Sequence, residues 1–208
     1  MSQYFQIHPE NPQARLIKQA VEMIRKGALI AYPTDSAYAL GCSLGNKSAL
    51  GRIQAIRKLD KKHNYTLVVR DIAELATYSK VDNSIFRLLK KHTPGAYTFI
   101  LKSTREVPRG AMHEKKKTIG IRIPDHPITH ALLAELGEPI VSSTLILPGD
   151  EYPMTDPYEI RQTLEHALDL IIDGGYWGLE PTTVIDLYED QPLPLRQGKA
   201  DFAPFDLA

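Results

Sequence analysis

Short apolar runs alternate with segments of helical periodicity along most of this chain, and this alternation constrains the fold more than any other feature. The first helical segment begins near Asn11-Pro12, a typical N-cap and first-turn proline, and ends at Gly27. The apolar run at residues 28–32 ends at Pro33, which cannot continue a strand ladder, so it is predicted to be a buried strand. The same reasoning predicts further helices over residues 48–58, 71–79, 82–91, 125–136 and 156–166, and further strands over residues 65–70, 96–103, 118–123, 140–146, 168–173 and 183–187. The alternation predicts a single-domain α/β fold with an open, twisted, mixed sheet and flanking helices.

The net charge of zero hides an uneven distribution of charged residues. Residues 1–130 contain 22 Lys and Arg against 10 Asp and Glu, whereas residues 131–208 contain 3 against 15. We therefore expect one basic and one acidic surface. The Lys and Arg residues fall in short runs along the chain. If these runs converge on one face of the folded protein, that face suits the phosphates of RNA. Exposure of each run to solvent, without any partner, explains the runs equally well. The candidate RNA-binding residues are Lys58, Lys61, Lys62, Arg109, Lys115, Lys116 and Lys117.

Several protein classes are disfavoured by what the sequence lacks. No apolar run approaches the roughly 20 residues that a bilayer requires, and the N-terminus has no secretory pattern. The one cysteine, Cys42, cannot form an internal disulfide, so we expect a soluble protein of the reducing cytoplasm with no membrane partner. Glycine-rich phosphate loops and zinc-type cysteine clusters are absent. His126 and His130 are four residues apart on a predicted helix but have no third ligand nearby, so no metal site is predicted.

Polar side chains follow three of the predicted strands, and ligand sites in α/β sheets gather at strand ends. Thr34, Ser36 and Tyr38 lie in the turn-like segment 32–41. Three consecutive hydroxyl residues occupy positions 142–144. Thr182 and Thr183 follow a third turn, with Arg196 close behind in sequence, and this set suits a phosphate. Hydroxyl groups bonded to neighbouring backbone explain these turns equally well.

Arg122 lies within a predicted strand that alternates isoleucine with other residues. Ile119, Ile121 and Ile123 occupy one set of alternate positions, and Gly120 and Arg122 occupy the other. Because side chains alternate across a sheet, we expect Arg122 to point away from the isoleucines.

Three ordered motifs resemble those of the YrdC/YciO family. Residues 32–41 are similar to its P-T-[DE]-[ST]-x-Y-G-L-G signature, residues 93–98 to its W-P-G-P-x-T stretch, and residues 121–127 to its R-V-P-x-H-P. The resemblance covers residues 12–200 and leaves residues 1–11 and 201–208 as terminal extensions. It implies an open twisted α/β sheet around a positively charged concave surface. By position, it implies a ligand site formed by Thr34, Tyr38, Arg57, Arg122, Ser142, Thr144, Thr183 and Arg196.

The resemblance implies two functions. One is binding of double-stranded RNA or tRNA by a protein with a nucleotide-class cavity, which is the leading hypothesis. The alternative is synthesis of threonylcarbamoyl-adenylate from threonine, bicarbonate and ATP, with Mg²⁺, for tRNA modification. A ligand sensor without catalysis is a third possibility.

The chain departs from the pattern of the enzymatic relatives at two motifs. Their Lys-x-Arg corresponds here to Arg57-Lys58-Leu59, and their Ser-x-Asn corresponds to Thr144-Leu145-Ile146. One cation and one amide are therefore replaced by apolar side chains, which favours phosphate binding over adenylate synthesis.

Overall fold

The computed structural model describes residues 1–60, 63, 65–189 and 191–205. In this part of the chain the helices are α1 (Ala14–Arg25), α2 (Lys47–Arg57), α3 (Ile72–Tyr78), α4 (Asn83–His92), α5 (Pro127–Leu136) and α6 (Pro157–Leu164). The strands are β1 (Gln3–Gln6), β2 (Ile30–Tyr32), β3 (Ala39–Ser43), β4 (Thr66–Val68), β5 (Tyr97–Lys102), β6 (Thr118–Arg122), β7 (Ile140–Thr144), β8 (Leu170–Asp173), β9 (Thr183–Asp186) and β10 (Leu193–Arg196). Within these described residues no helix is long and apolar enough to cross a membrane.

The strands form one open, ten-stranded sheet in the order β1-β8-β2-β3-β7-β4-β6-β5-β9-β10. The sheet is mixed. The pairs β1/β8, β2/β8, β4/β6 and β5/β9 are parallel, and the pairs β2/β3, β3/β7, β4/β7, β5/β6 and β9/β10 are antiparallel. The predicted fold class, an open mixed α/β sheet with flanking helices, is confirmed.

The two faces of the sheet differ in how completely they are covered. One face packs with α2, α3, α4 and α6 into an apolar cluster that includes Leu40, Phe99 and Ile121. At the β1 end, the opposite face packs against α1 and α5 around Ile30 and Ile172. Farther along this second face, β7, β4, β6, β5 and β9 border an open cavity. We call this part of the sheet the cavity face.

Three strands lie where the sequence analysis predicts no regular structure. Strand β1, within the expected N-terminal extension, adds to the sheet edge beside β8. Strand β3 lies in the segment interpreted as a turn; it is rich in small residues, which β-propensity does not mark. A side chain at its Gly41 would place a Cβ 2.7 Å from the Tyr32 ring and 2.8 Å from Ile140, so only glycine fits. Strand β10, which lies beyond the last predicted strand, is an exposed edge with an irregularity between Pro194 and Arg196.

Candidate ligand-binding cavity

A cavity of about 450 Å³ opens on the cavity face, within the size range of small-molecule sites. Its lining combines three arginines with hydroxyl groups and few large apolar side chains. The described lining residues are Ser36, Ala37, Ala39, Arg57, Asp60, His63, Thr66, Thr98, Ile100, Gly120, Arg122, Ser142, Ser143, Thr144, Ile146, Thr182, Val184 and Arg196. Asp60 is the carboxylate in this set, so the cationic groups outnumber it.

Strand alternation places these side chains. Ile119 and Ile121 belong to the apolar cluster on the other face, while Gly120 and Arg122 line the cavity. The expectation that Arg122 points away from the isoleucines is confirmed. A Cβ at Gly120 would lie 3.0 Å from Thr66 Oγ1 and 3.1 Å from the Tyr65 carbonyl oxygen. The absence of a side chain at this position keeps the floor of the cavity open.

Arg122 is held by the turn that follows β2. Its guanidinium forms a buried ion pair with Asp35, and its Nη1 donates to Ser36 Oγ at 3.3 Å. The second carboxylate oxygen of Asp35 accepts the Asp125 backbone N–H at 3.0 Å. Both partners are nearly inaccessible, with side chains 7% and 10% exposed. Arg122 is therefore both a structural ion-pair partner and part of the cavity lining.

Thr34 and Tyr38, which the resemblance implies as ligand residues, lie outside the cavity lining. Thr34 Oγ1 donates to the Ala37 carbonyl at 2.6 Å and so shapes the turn. The Tyr38 hydroxyl donates to the Gly175 carbonyl at 2.8 Å and accepts the Gly174 N–H at 3.2 Å. Both hydroxyl groups are thus used within the protein, as the backbone-bonded interpretation of these turns describes.

In the turn that contains Thr182 and Thr183, one hydroxyl group lines the cavity and the other bonds to the backbone. Thr183 Oγ1 bonds to the Ala200 carbonyl, and Thr183 is fully buried. Its neighbour Thr182 lines the cavity, with its Oγ1 2.7 Å from Thr98 Oγ1. The alternation of side chains along β9 distinguishes the two threonines. Thr183 lies on the same face as Ile185, which packs in the apolar cluster, so Thr182 lies on the cavity side.

Besides Arg122, the arginines Arg57 and Arg196 line the cavity. Arg57 donates from Nε to the Ile146 carbonyl at 3.0 Å and from Nη1 to Ser143 Oγ at 2.7 Å. Arg196 donates from Nε and Nη2 to the Thr182 carbonyl, at 3.2 Å and 2.8 Å. Burial, and then the charge of Arg196, lower the pKa of Arg57. These bonds fix both guanidiniums in the cavity wall, and the remaining N–H groups can meet an anion.

His63 lies in the same wall and is a lining residue that the sequence analysis missed. Its Nε2 is 3.4 Å from Ser143 Oγ, and its ring packs edge-on to Tyr65 with centroids 5.3 Å apart. Burial lowers its pKa to about 4, and Arg57 adds to this effect. Ser142, Ser143 and Thr144 also line the cavity, since β4 begins at Thr66, opposite Ser142, and leaves the end of β7 without a partner from β4.

Leu59 and Ile146, the two apolar residues at positions where the enzymatic relatives have polar ones, differ in their surroundings. Leu59 packs against the apolar cluster, whereas Ile146 presents an apolar side chain to the cavity and its carbonyl to Arg57. Thr144 keeps a hydroxyl in the lining.

Those candidate RNA-binding residues that the structure describes lie outside the lining. Lys61 and Lys62 fall outside the described residues. Lys58, Arg109 and residues 115–117 are exposed. The Lys102 and Lys116 ammonium groups lie 4.6 Å and 5.8 Å from the Tyr188 ring centroid.

Comparison with known proteins extends these observations. The Sua5/YciO/YrdC family model, described as "Telomere recombination", matches residues 22–198. The uncharacterized protein YciO of Escherichia coli (strain K12) is 59% identical over 205 residues, covering 99% of this chain and all of its own. The crystal structure of E. coli YciO superposes with a TM-score of 0.96 over 99% of this chain and 100% of that chain.

More distant matches carry functional names. A threonylcarbamoyl-AMP synthase of Chromohalobacter salexigens is 30% identical over 179 residues, covering 85% of this chain and 95% of its own. The structure of P. abyssi Sua5 complexed with L-threonine matches with a TM-score of 0.84 and 27% identity. That match covers 94% of this chain but 57% of the Sua5 chain, so this chain spans little more than half of that longer protein.

Proposed function

Because the chain belongs to the Sua5/YciO/YrdC family, we propose that its cavity binds ATP together with L-threonine and forms threonylcarbamoyl-AMP, a step in tRNA modification. In this reaction bicarbonate carboxylates the threonine amine with loss of water. The carbamate oxygen then attacks the α-phosphorus of ATP, and pyrophosphate leaves.

The pair of arginines at Arg57 and Arg196 carries the proposal. Both guanidiniums are anchored through one part of the group to protein oxygens, Ile146 and Ser143 for Arg57 and Thr182 for Arg196. A phosphate chain between them meets charge-assisted donors whose geometry is already set, so little ordering is needed on binding. Relatives are named threonylcarbamoyl-AMP synthases, and the AMP of that name supports a nucleotide in this position.

Another part of the cavity suits the amino acid. Arg122 and Ser36 offer a cation and a hydroxyl group close to the rigid turn that Thr34 and Tyr38 build. In the proposal Arg122 pairs with the threonine carboxylate, while Thr34 and Tyr38 act by holding this turn. Asp60 is the carboxylate among the described lining residues, so Mg²⁺ enters as the ATP complex, held by phosphate oxygens.

Product formation tests the proposal. Purified protein is incubated with ATP, bicarbonate, L-threonine and Mg²⁺, and pyrophosphate and threonylcarbamoyl-AMP are measured by mass spectrometry. We expect both products in equal amounts. The rate of product formation falls at least about tenfold in Arg57→Met, because one charge-assisted contact contributes roughly 1.5–3 kcal/mol. Arg15→Met, an exposed position on α1, is the matched control and keeps the wild-type rate. ATP binding without either product rejects the synthase and leaves the ligand sensor.

RNA binding is a second candidate, favoured by the exposed basic residues around Tyr188. Lys116 and Lys102 lie over its ring, and Lys115 and Lys117 flank the same segment. In this proposal RNA phosphates lie along residues 115–117 while the cavity keeps its nucleotide role. Affinity for duplex RNA then falls steeply between 50 and 200 mM salt, as counterion release requires. The change of all three lysines to Glu abolishes it, and unchanged affinity in that variant rejects RNA binding here.

A further inference from the structure

His63 lies in the wall of the cavity among groups of mostly positive charge. Burial lowers its pKa, and the charges of Arg57 on α2 and of Arg196 on β10 lower this pKa further. Asp60 is the carboxylate that acts on it in the opposite direction, and Tyr65 covers one edge of its ring. His63 therefore faces the part of the cavity where we place the phosphates of the nucleotide.

Ser143 links His63 to Arg57. Arg57 Nη1 donates to Ser143 Oγ at 2.7 Å, so the serine oxygen is an acceptor and its own proton is available for another bond. His63 Nε2, 3.4 Å away, is the ring nitrogen within reach. Neutral His63 can accept this proton at Nε2, which places its N–H on Nδ1. The low pKa of His63, about 4, keeps the ring neutral at physiological pH in the ligand-free protein.

We propose that His63 is a proton-coupled phosphate ligand: binding of a phosphate chain between Arg57 and Arg196 favours uptake of a proton from solvent onto its ring. This inference rests on the proposed function, since it places the phosphates at the arginine pair. The bound anion cancels the repulsion of the two guanidiniums and accepts a hydrogen bond from the imidazolium. At the same time Ser143 turns from donor to acceptor toward Nε2. His63 thus supplies a second cation near Arg57, where Leu59 packs into the apolar cluster instead.

The size of the effect follows from linkage. If the anion returns the pKa of His63 from about 4 to its ordinary value of about 6.5, affinity for the phosphate chain rises about tenfold between pH 7.5 and pH 5.5. If His63 is not protonated, this roughly tenfold rise in affinity for the phosphate chain disappears.

NMR titration of the histidine ring protons measures the coupling directly, with His63→Gln used to assign the resonance. ATP and inorganic pyrophosphate are the two probes. We expect the pKa of His63 to rise from about 4 to about 6.5 with either probe. His92, whose pKa burial also lowers and which packs against Phe205 away from the cavity, is the internal control and stays unchanged.

Affinity provides the second readout. His63→Gln retains a hydrogen-bond acceptor for Ser143, and we expect it to lose the roughly tenfold pH dependence of pyrophosphate binding. The exposed His166→Gln retains it.

The outcomes separate the two proposals. Ligand binding that leaves the His63 pKa unchanged overturns the proton coupling and leaves the synthase proposal standing. Pyrophosphate that raises this pKa while ATP does not bind overturns the synthase proposal and supports the coupling. If neither probe binds, both proposals are rejected.

Discussion

The buried ion pair between Asp35 and Arg122 sets a sharp expectation for stability. Arg122→Met leaves the Asp35 carboxylate, about 10% exposed, without its cation, although the Asp125 N–H still donates to it. Removal of one partner from a buried pair costs about 3–5 kcal/mol, and Asp35→Asn leaves Arg122 unpaired at a similar cost. The double variant removes both charges together, so its free energy of unfolding falls by less than the sum of the two single losses.

Urea unfolding of the four proteins in this cycle measures the coupling. With a urea slope of about 3 kcal/mol per molar, each single substitution lowers the midpoint by at least about 1 M. Arg52→Met is the matched control, because the Arg52–Asp169 pair is 36% and 39% exposed and such pairs contribute about 1 kcal/mol or less. Additive losses, or a cost no larger than that of the control, would refute the reasoning.

Three further expectations concern other parts of the molecule. Ile146→Asn places an amide in the cavity and strengthens ATP binding about tenfold by isothermal titration calorimetry, for one added hydrogen bond; unchanged affinity contradicts this. Phe205→Ala removes a ring packed on Tyr97 and Phe99 and lowers stability by roughly 3–5 kcal/mol in the same urea assay; a loss below about 1 kcal/mol contradicts it. Burial lowers the pKa of His126 to about 4, so below pH 6.5 the unfolded chain gains a proton that the folded protein resists. Stability therefore falls as pH decreases from 6.5 to 4, and His126→Phe reduces this fall by about 3 kcal/mol; an equal fall in the variant rejects the assignment.

The sequence predicts the elements whose periodicity is set by burial. The alternating isoleucines of β6 indicate both the strand and the direction of Arg122, since one face packs in the apolar cluster. Strand β3 is not predicted because its small residues are selected by close packing, as the contact of Gly41 with the Tyr32 ring shows. Phe205 lies in the expected C-terminal extension, yet it is fully buried by rings distant in sequence.

The cavity is predicted less completely because its residues meet only in the folded chain. Arg57 and Arg196 come from a helix and an edge strand 139 positions apart, and family position rather than local pattern identifies them. His63 carries no periodic or motif signal, and its partners Ser143 and Arg57 are distant in sequence. Thr182 rather than Thr183 lines the cavity, which the alternation with Ile185 indicates once the strand is aligned.

The affinity of the purified protein for ATP tests the central claim most directly. Isothermal titration calorimetry of wild type, Arg57→Met and Arg15→Met at pH 7.5 compares a cavity arginine with an exposed one. We predict one ATP bound per chain in wild type and Arg15→Met, and at least about tenfold weaker binding in Arg57→Met. Absence of ATP binding in wild type, or equal affinity in Arg57→Met, would contradict a nucleotide site between Arg57 and Arg196.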